Sequence, residues 1–131
     1  MSRRVIAPKT GIRPGLPYSP GIGWQNLVFV SGQTGSDPIT REFPADIKSQ
    51  TRIALENVKA VAEAGGASLA TALKMTIHMT DMMNEFQAMN EVFREFFPKD
   101  PPSRTTVGVA HLARAGLKIE IDMIAVVTDK A

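Results

Sequence analysis

Hydrophobic positions along the chain repeat with two different periods. Between residues 46 and 64, Ile47, Thr51, Ala54, Leu55, Val58 and Ala62 recur at spacings of three and four with Lys, Arg and Glu opposite, which predicts an amphipathic helix. Gly65-Gly66 follows it, and glycine closes a helix well because it adopts left-handed backbone without steric cost. A second helix is predicted from about Met83 to Phe96, with Phe86, Met89, Phe93 and Phe97 as its stripe and Pro98 as its stop. Elsewhere the period is two. Leu73, Met75, Ile77 and Met79 alternate with Lys74, Thr76, His78 and Thr80, and Leu117, Ile119, Ile121 and Met123 alternate with Lys118, Glu120 and Asp122. Both runs predict half-buried strands. From Ile124 to Val127 both faces turn apolar, which places the last strand centrally in its sheet.

Leu27–Val30 and Arg104–Ala110 supply further strands, Ser68 is placed to cap a short turn, and residues 8–23 read as an ordered loop. The order of elements predicts an α+β sandwich with two helices on one sheet face. A chain of this length has no spare element for the other face, so an oligomer whose sheets pack together is expected.

Composition narrows the function classes. The 131 residues form a single expected domain, 44% hydrophobic and 21% charged. No apolar run approaches the ~18–20 residues of a membrane span, so no membrane partner is expected. The lack of cysteine excludes disulfides, thiolate metal sites and a Cys nucleophile, and two distant histidines, His78 and His111, give a metal little to bind. Residues 1–36 carry four bases (Arg3, Arg4, Lys9 and Arg13) and no acid, whereas the rest carries eleven bases and thirteen acids. Four charges on an N-terminal arm are a weak footprint for nucleic acid, so no nucleic-acid partner is expected either. Eight of residues 8–23 are Pro or Gly, which prevents the amphipathic helix of a transit peptide and leaves a cytoplasmic protein as the expectation.

Among candidate chemical groups, Arg104 follows Pro-Pro-Ser and opens a strand of small residues, where its planar fork can meet a carboxylate or phosphate. Glu120 stands mid-strand among apolar residues, suited to proton transfer if partly desolvated. Asp122 competes for that role, and Lys118 is a candidate counter-ion for Glu120. Tyr18 in the Pro/Gly loop, Ser31-Gly32 after the first strand, and Asn90 between Phe86 and Phe93 are further candidates.

The stretches Pro102-Ser103-Arg104-Thr105-Thr106-Val107 and Leu117-Lys118-Ile119-Glu120-Ile121 resemble the C-terminal motif of the YjgF/RidA (reactive intermediate deaminase) family. Pro17-Tyr18-Ser19-Pro20, Val30-Ser31-Gly32-Gln33, Asn57-Val58-Lys59-Ala60 and Met89-Asn90-Glu91-Val92-Phe93 match in the same order. The resemblance implies a chorismate-mutase-like mixed sheet and a homotrimer with clefts between subunits. It also implies cofactor-free, metal-free hydrolysis of 2-imino or enamine acids to 2-keto acids and ammonia. By the same resemblance Arg104 holds the substrate carboxylate, Glu120 activates water, and Tyr18, Ser31, Gly32, Asn90 and Thr106 line the cleft. Thr106 departs from the Cys of the best-known deaminases, which leaves substrate size open. A larger, 2-aminomuconate-like enamine, a carboxylate-binding role without turnover and an RNA-directed role are the alternatives.

Overall fold

Asp46 starts the first helix by accepting a hydrogen bond from the Ser49 amide at 2.9 Å, which satisfies a donor the helix itself leaves open. Helix α1 then runs Ile47–Ala64 and buries Ala54, Leu55, Val58 and Ala62 completely. It ends at Gly65, whose N–H donates to the Val61 and Ala62 carbonyls. The computed structural model describes residues 2–9 and 15–128.

Six strands form one sheet: β1 (Arg4–Ile6), β2 (Gly21–Trp24), β3 (Leu27–Thr34), β4 (Ala72–Met79), β5 (Ser103–Gly108) and β6 (Ile119–Val126). Their order is β1-β2-β3-β6-β4-β5. Neighbours are antiparallel except β4 and β5, which run parallel. A parallel pair needs a crossover, and helix α2 (Met82–Phe96) supplies it. The 3-10 turn Leu69–Thr71 leads into β4, with Ser68 and Thr71 hydrogen-bonded reciprocally as a capping box.

The two-residue alternation is realised except at Leu73, which falls at the register shift between Ala72 and Lys74 and stays about half exposed. Met75, Ile77, Met79, Ile119, Ile121 and Met123 are buried in one cluster with the apolar stripes of α1 and α2. Paired rows of opposite charge align the helices on their outer side: Lys48 with Glu91 at 2.5 Å and Arg52 with Glu95 at 3.0 Å. Among the described residues no helix covers the opposite face. There Phe29 lies across from Ile124 and Leu27 from Val126. Farther along, Thr76 faces Asp122 and His78 faces Glu120. Phe29, Trp24 and Leu73 keep about two-fifths to half of their surface exposed.

The N-terminal region departs from the expected loop and arm. Gly21–Trp24 is a strand, and Arg4–Ile6 pairs with it at the sheet edge, Arg4 donating to the Gln25 carbonyl at 3.0 Å. Alternate glycines at 21 and 23 give β2 no hydrophobic alternation to read, because they present no side chain. Arg13, counted in the basic arm, lies outside the described residues. The last two strands are shorter than their hydrophobic runs, 103–108 and 119–126 against 104–110 and 117–127. Among the described residues no helix is long and apolar enough to cross a membrane.

Candidate active site

Two clusters of polar groups are set apart on the sheet. The first surrounds Glu120. Opposite it, β3 loses register with β6 between Val30 and Gln33, a bulge that contains Ser31 and Gly32. The bulge brings the Gly32 backbone under the Glu120 side chain so closely that a Cβ at position 32 would collide with the carboxylate. A side chain at position 32 would have to push the Glu120 carboxylate aside. Ser31 draws the preceding loop onto β3, its Oγ donating to the Ser19 carbonyl at 2.6 Å and its N–H to the Pro20 carbonyl at 2.9 Å. Tyr18 is thereby placed at the rim of a cavity of about 210 Å³ that Gly32 and Glu120 also line.

The far wall of that cavity is a hydrogen-bonded lattice. Asn57 of α1 donates to the Thr34 and Ser36 carbonyls at 3.1 and 2.8 Å. Arg114 donates to the Arg41 carbonyl at 2.8 Å and to Ser36 Oγ at 2.7 Å, with its guanidinium over the Phe43 ring. Gln50, fully buried, ties α1 to the segment before β6 by donating to the Gly116 carbonyl and accepting from the Lys118 amide. Asp37 accepts from the Ile39 and Thr40 amides, which hold its carboxyl below the usual carboxylate value.

The two acids of β6 are separated by this geometry. Glu120 lines the cavity, and Asp122 does not. Asp122 sits farther along the uncovered face, where burial pushes its carboxyl up against the opposing pull of His78, Lys74 and Thr76. Lys118 is not the partner of Glu120: its ammonium donates to Glu85 at 3.1 Å.

The second cluster surrounds Arg104. On β5 it lies opposite Met75, on the helix side of the sheet, and its guanidinium rests over the rings of Phe93 at 4.8 Å and Phe86 at 5.8 Å. Such faces attract a cation through the ring quadrupole. Asn90 shares this helix face, one turn from each ring, and Thr106 follows on the same side of β5, opposite Ile77. Desolvation, then the charge of Arg94, push the Arg104 guanidinium below its ordinary value. Among the described residues no carboxylate or carbonyl pairs with it.

Within one chain, therefore, Tyr18, Ser31, Gly32 and Glu120 come together, and Arg104, Asn90 and Thr106 come together, but the groups are apart. β4 lies between the strands that carry Arg104 and Glu120. Glu120 lies opposite His78 and Arg104 opposite Met75, an odd number of residues apart on β4, so the two point to opposite faces. The sequence had marked none of the wall residues Ser36, Arg41 and Arg114 as functional, and Asn57 only within a family match. Asn57 had one readable signal, an amide beside the apolar stripe of α1. Arg114 lies in an irregular loop and had none.

A family model described as endoribonuclease L-PSP matches residues 9–127. The chain is 43% identical over 113 residues to a protein of Escherichia coli K12 named putative reactive intermediate deaminase TdcF, covering 84% of this chain and 86% of that one. It is 39% identical to the 2-iminobutanoate/2-iminopropanoate deaminase of the same organism, over 84% of this chain and 87% of the relative. The chain belongs to the YjgF/RidA family. Its fold agrees: the crystal structure of E. coli TdcF with bound serine superposes with a TM-score of 0.85 at 41% identity, covering 95% of this chain and 99% of TdcF. The E. coli YjgF gene product superposes at 0.84 and 38% identity, over 94% and 98% of the two chains. A mixed sheet with two helices on one face is thus the family's architecture as well as this chain's.

Proposed function

We propose that this YjgF/RidA-family protein is an imine/enamine deaminase that hydrolyses 2-imino acids to 2-keto acids and ammonia. Its site forms between copies in a homotrimer, where the Glu120 cluster of one chain meets the Arg104 cluster of the next. The observation that carries this reading is the partition of the two clusters: each is incomplete for a small acid, and the uncovered sheet face needs a partner. Names of relatives support the reaction class, and the serine bound to TdcF supports a small carboxylic acid as ligand. A cavity of about 210 Å³ suits a metabolite with few heavy atoms, since drug-sized ligands occupy ~300 Å³ or more.

In this mechanism Arg104 holds the substrate carboxylate by two parallel hydrogen bonds, its guanidinium kept flat by the Phe86 and Phe93 rings. Glu120 orients a water and accepts its proton as the water oxygen bonds to the imine carbon, while the C=N π pair moves to nitrogen. Glu120 returns the proton to nitrogen, giving the carbinolamine, then carries the hydroxyl proton to that nitrogen as the C=O bond forms, so that the C–N bond breaks with ammonia as the leaving group. One water is consumed and one ammonia released, so the hydrolysis needs neither an oxidant nor a reductant. Because the imine carbon is already electrophilic, orientation and one proton carrier supply most of what the step requires. Tyr18, Ser31, Gly32, Asn90 and Thr106 shape the pocket around the substrate.

The test couples an amino-acid oxidase, which releases imino acids in situ, to keto-acid formation with semicarbazide trapping the imine that escapes. Wild type is expected to accelerate keto-acid release and reduce trapping. Arg104→Ala and Glu120→Gln are each expected to remove this, and their mixed, refolded assemblies to regain about a quarter of wild-type activity, because random pairing rebuilds that fraction of two-copy sites. Full turnover by Arg104→Ala overturns the reaction assignment, and no regain on mixing overturns the shared site.

A further inference from the structure

We infer that Gln50 is a positioning residue for Glu120, fixing its distance from β3 where the sheet's own hydrogen bonds do not. This rests on the reading of Glu120 as the proton carrier. Cross-strand pairing ordinarily fixes where a residue of one strand stands against the next. Pairing with β4, His78 against Glu120, does this on one side of β6. On the other side the register with β3 shifts between Val30 and Gln33, and only Gln33 with Ile121 and Thr34 with Glu120 pair beyond the shift. The chain just before β6 is irregular, so it reaches Glu120 without a ladder as well.

Gln50 meets both flanks of that gap. Its side chain is fully buried, and Nε2 donates to the Pro44 carbonyl at 2.8 Å and the Gly116 carbonyl at 3.0 Å, while Oε1 accepts from the Lys118 amide at 2.8 Å. Lys118 stands two residues before Glu120, and Leu117, between the two backbone contacts, lines the same cavity as Glu120. On the β3 side, Gly35 follows Thr34, the cross-strand partner of Glu120, and packs directly on Gln50. A Cβ at position 35 would stand 2.5 Å from the Gln50 Cβ and carbonyl oxygen. One residue of α1 thus touches the exit of β3 and the entry of β6. An apolar side chain of the same size would fill this buried place without the cost of desolvating an amide, but also without direction. The three hydrogen bonds set distances, and they set them for the strands that bring Gly32 and Glu120 together.

The experiment reads steady-state hydrolysis of 2-iminobutanoate, generated in situ from 2-aminobutyrate by an oxidase, on the full chain at a temperature where every variant is folded. Gln50→Met keeps the length and removes the hydrogen bonds, and is expected to lower kcat about tenfold with KM changed less than about twofold. Gln50→Glu retains an acceptor for the Lys118 amide. It is expected to recover most of the lost kcat while melting below wild type, a combination that a purely structural role would not produce. Val58→Ala removes core volume from the same helix and is expected to lower the melting temperature with kcat unchanged. An unchanged kcat in Gln50→Met, or an equal fall in Val58→Ala, overturns the inference. Should Gln50→Met not fold, Gln50→Asn, whose amide falls one methylene short of Lys118, carries the same test with an expected fall of about threefold. Should wild type hydrolyse no imine, the deaminase reading fails by itself. The carbon NMR resonance of the Glu120 carboxyl then decides the role of Gln50: a resonance moved by Gln50→Met and not by Val58→Ala upholds it, and any other pattern discards it.

Discussion

The Glu120 side of the molecule is fastened by hydrogen bonds, whereas the Arg104 side is held by two aromatic rings. Around the cavity, Asn57, Arg114 and Ser31 each bond to backbone carbonyls of loops that would otherwise move independently. Around Arg104 no hydrogen bond fixes the guanidinium among the described residues, and Phe86 and Phe93 determine only its plane. A directional lattice preorganises one geometry, as proton transfer demands. A flat, unbonded cation keeps its donors for an incoming anion. In the proposed mechanism the two halves divide the work, one fixing where a water stands and the other capturing the acid.

The comparison can be broken at several points. Glu120→Gln keeps the shape and removes the base, and is expected to lower kcat about 10³-fold with KM little changed, as steady-state kinetics on in situ imines would report. An unchanged kcat would assign the proton to another group, with Asp122 next in line. Asn57→Ala frees the Thr34 and Ser36 carbonyls from their shared donor and is expected to cost about 2 kcal/mol, seen in denaturant unfolding, with activity falling in parallel. Phe86→Leu removes one ring face from Arg104. The expected result is a KM rise of about two- to fivefold with stability changed by less than ~1 kcal/mol. A stability loss as large as that of Asn57→Ala would show that the aromatic side is as structurally fastened as the other.

The smallest effect concerns Asp122. Burial raises its carboxyl in the folded state, so the unfolded chain releases that proton first, and folding is disfavoured once pH exceeds the ordinary carboxylate value of 3.8. Asp122→Asn is therefore expected to raise the melting temperature modestly at neutral pH. The gain should vanish as pH falls through 3.8, where both states hold the proton. A gain that persists in acid would trace instead to packing.

Much of this fold is written in local periodicity. Both helices and the two long alternating strands were legible because burial on one face repeats at a period set by backbone geometry. β1 and β2 were not, since a three-residue edge strand and a four-residue neighbour with two glycines carry too little pattern. Nor was the direction of β5, because alternation is the same in parallel and antiparallel pairs. That last gap matters most for the site. Arg104 and Glu120 are near in sequence and on adjacent predicted strands, so a simple hairpin would make them neighbours. The crossover through α2 instead puts β4 between them, and a non-local pairing is what no local pattern encodes.

The central place of β6 has a kinetic consequence. It follows every other strand in the chain, yet β1-β2-β3 and β4-β5 join only through it. Until residues 119–126 leave the ribosome, the backbone edges of β3 and β4 lack their common neighbour, and Val28, Met75 and Ile77 line an unfinished core. Completion of the sheet is then a late, long-range event, of the kind that slows folding and leaves unpaired edges open to association between chains.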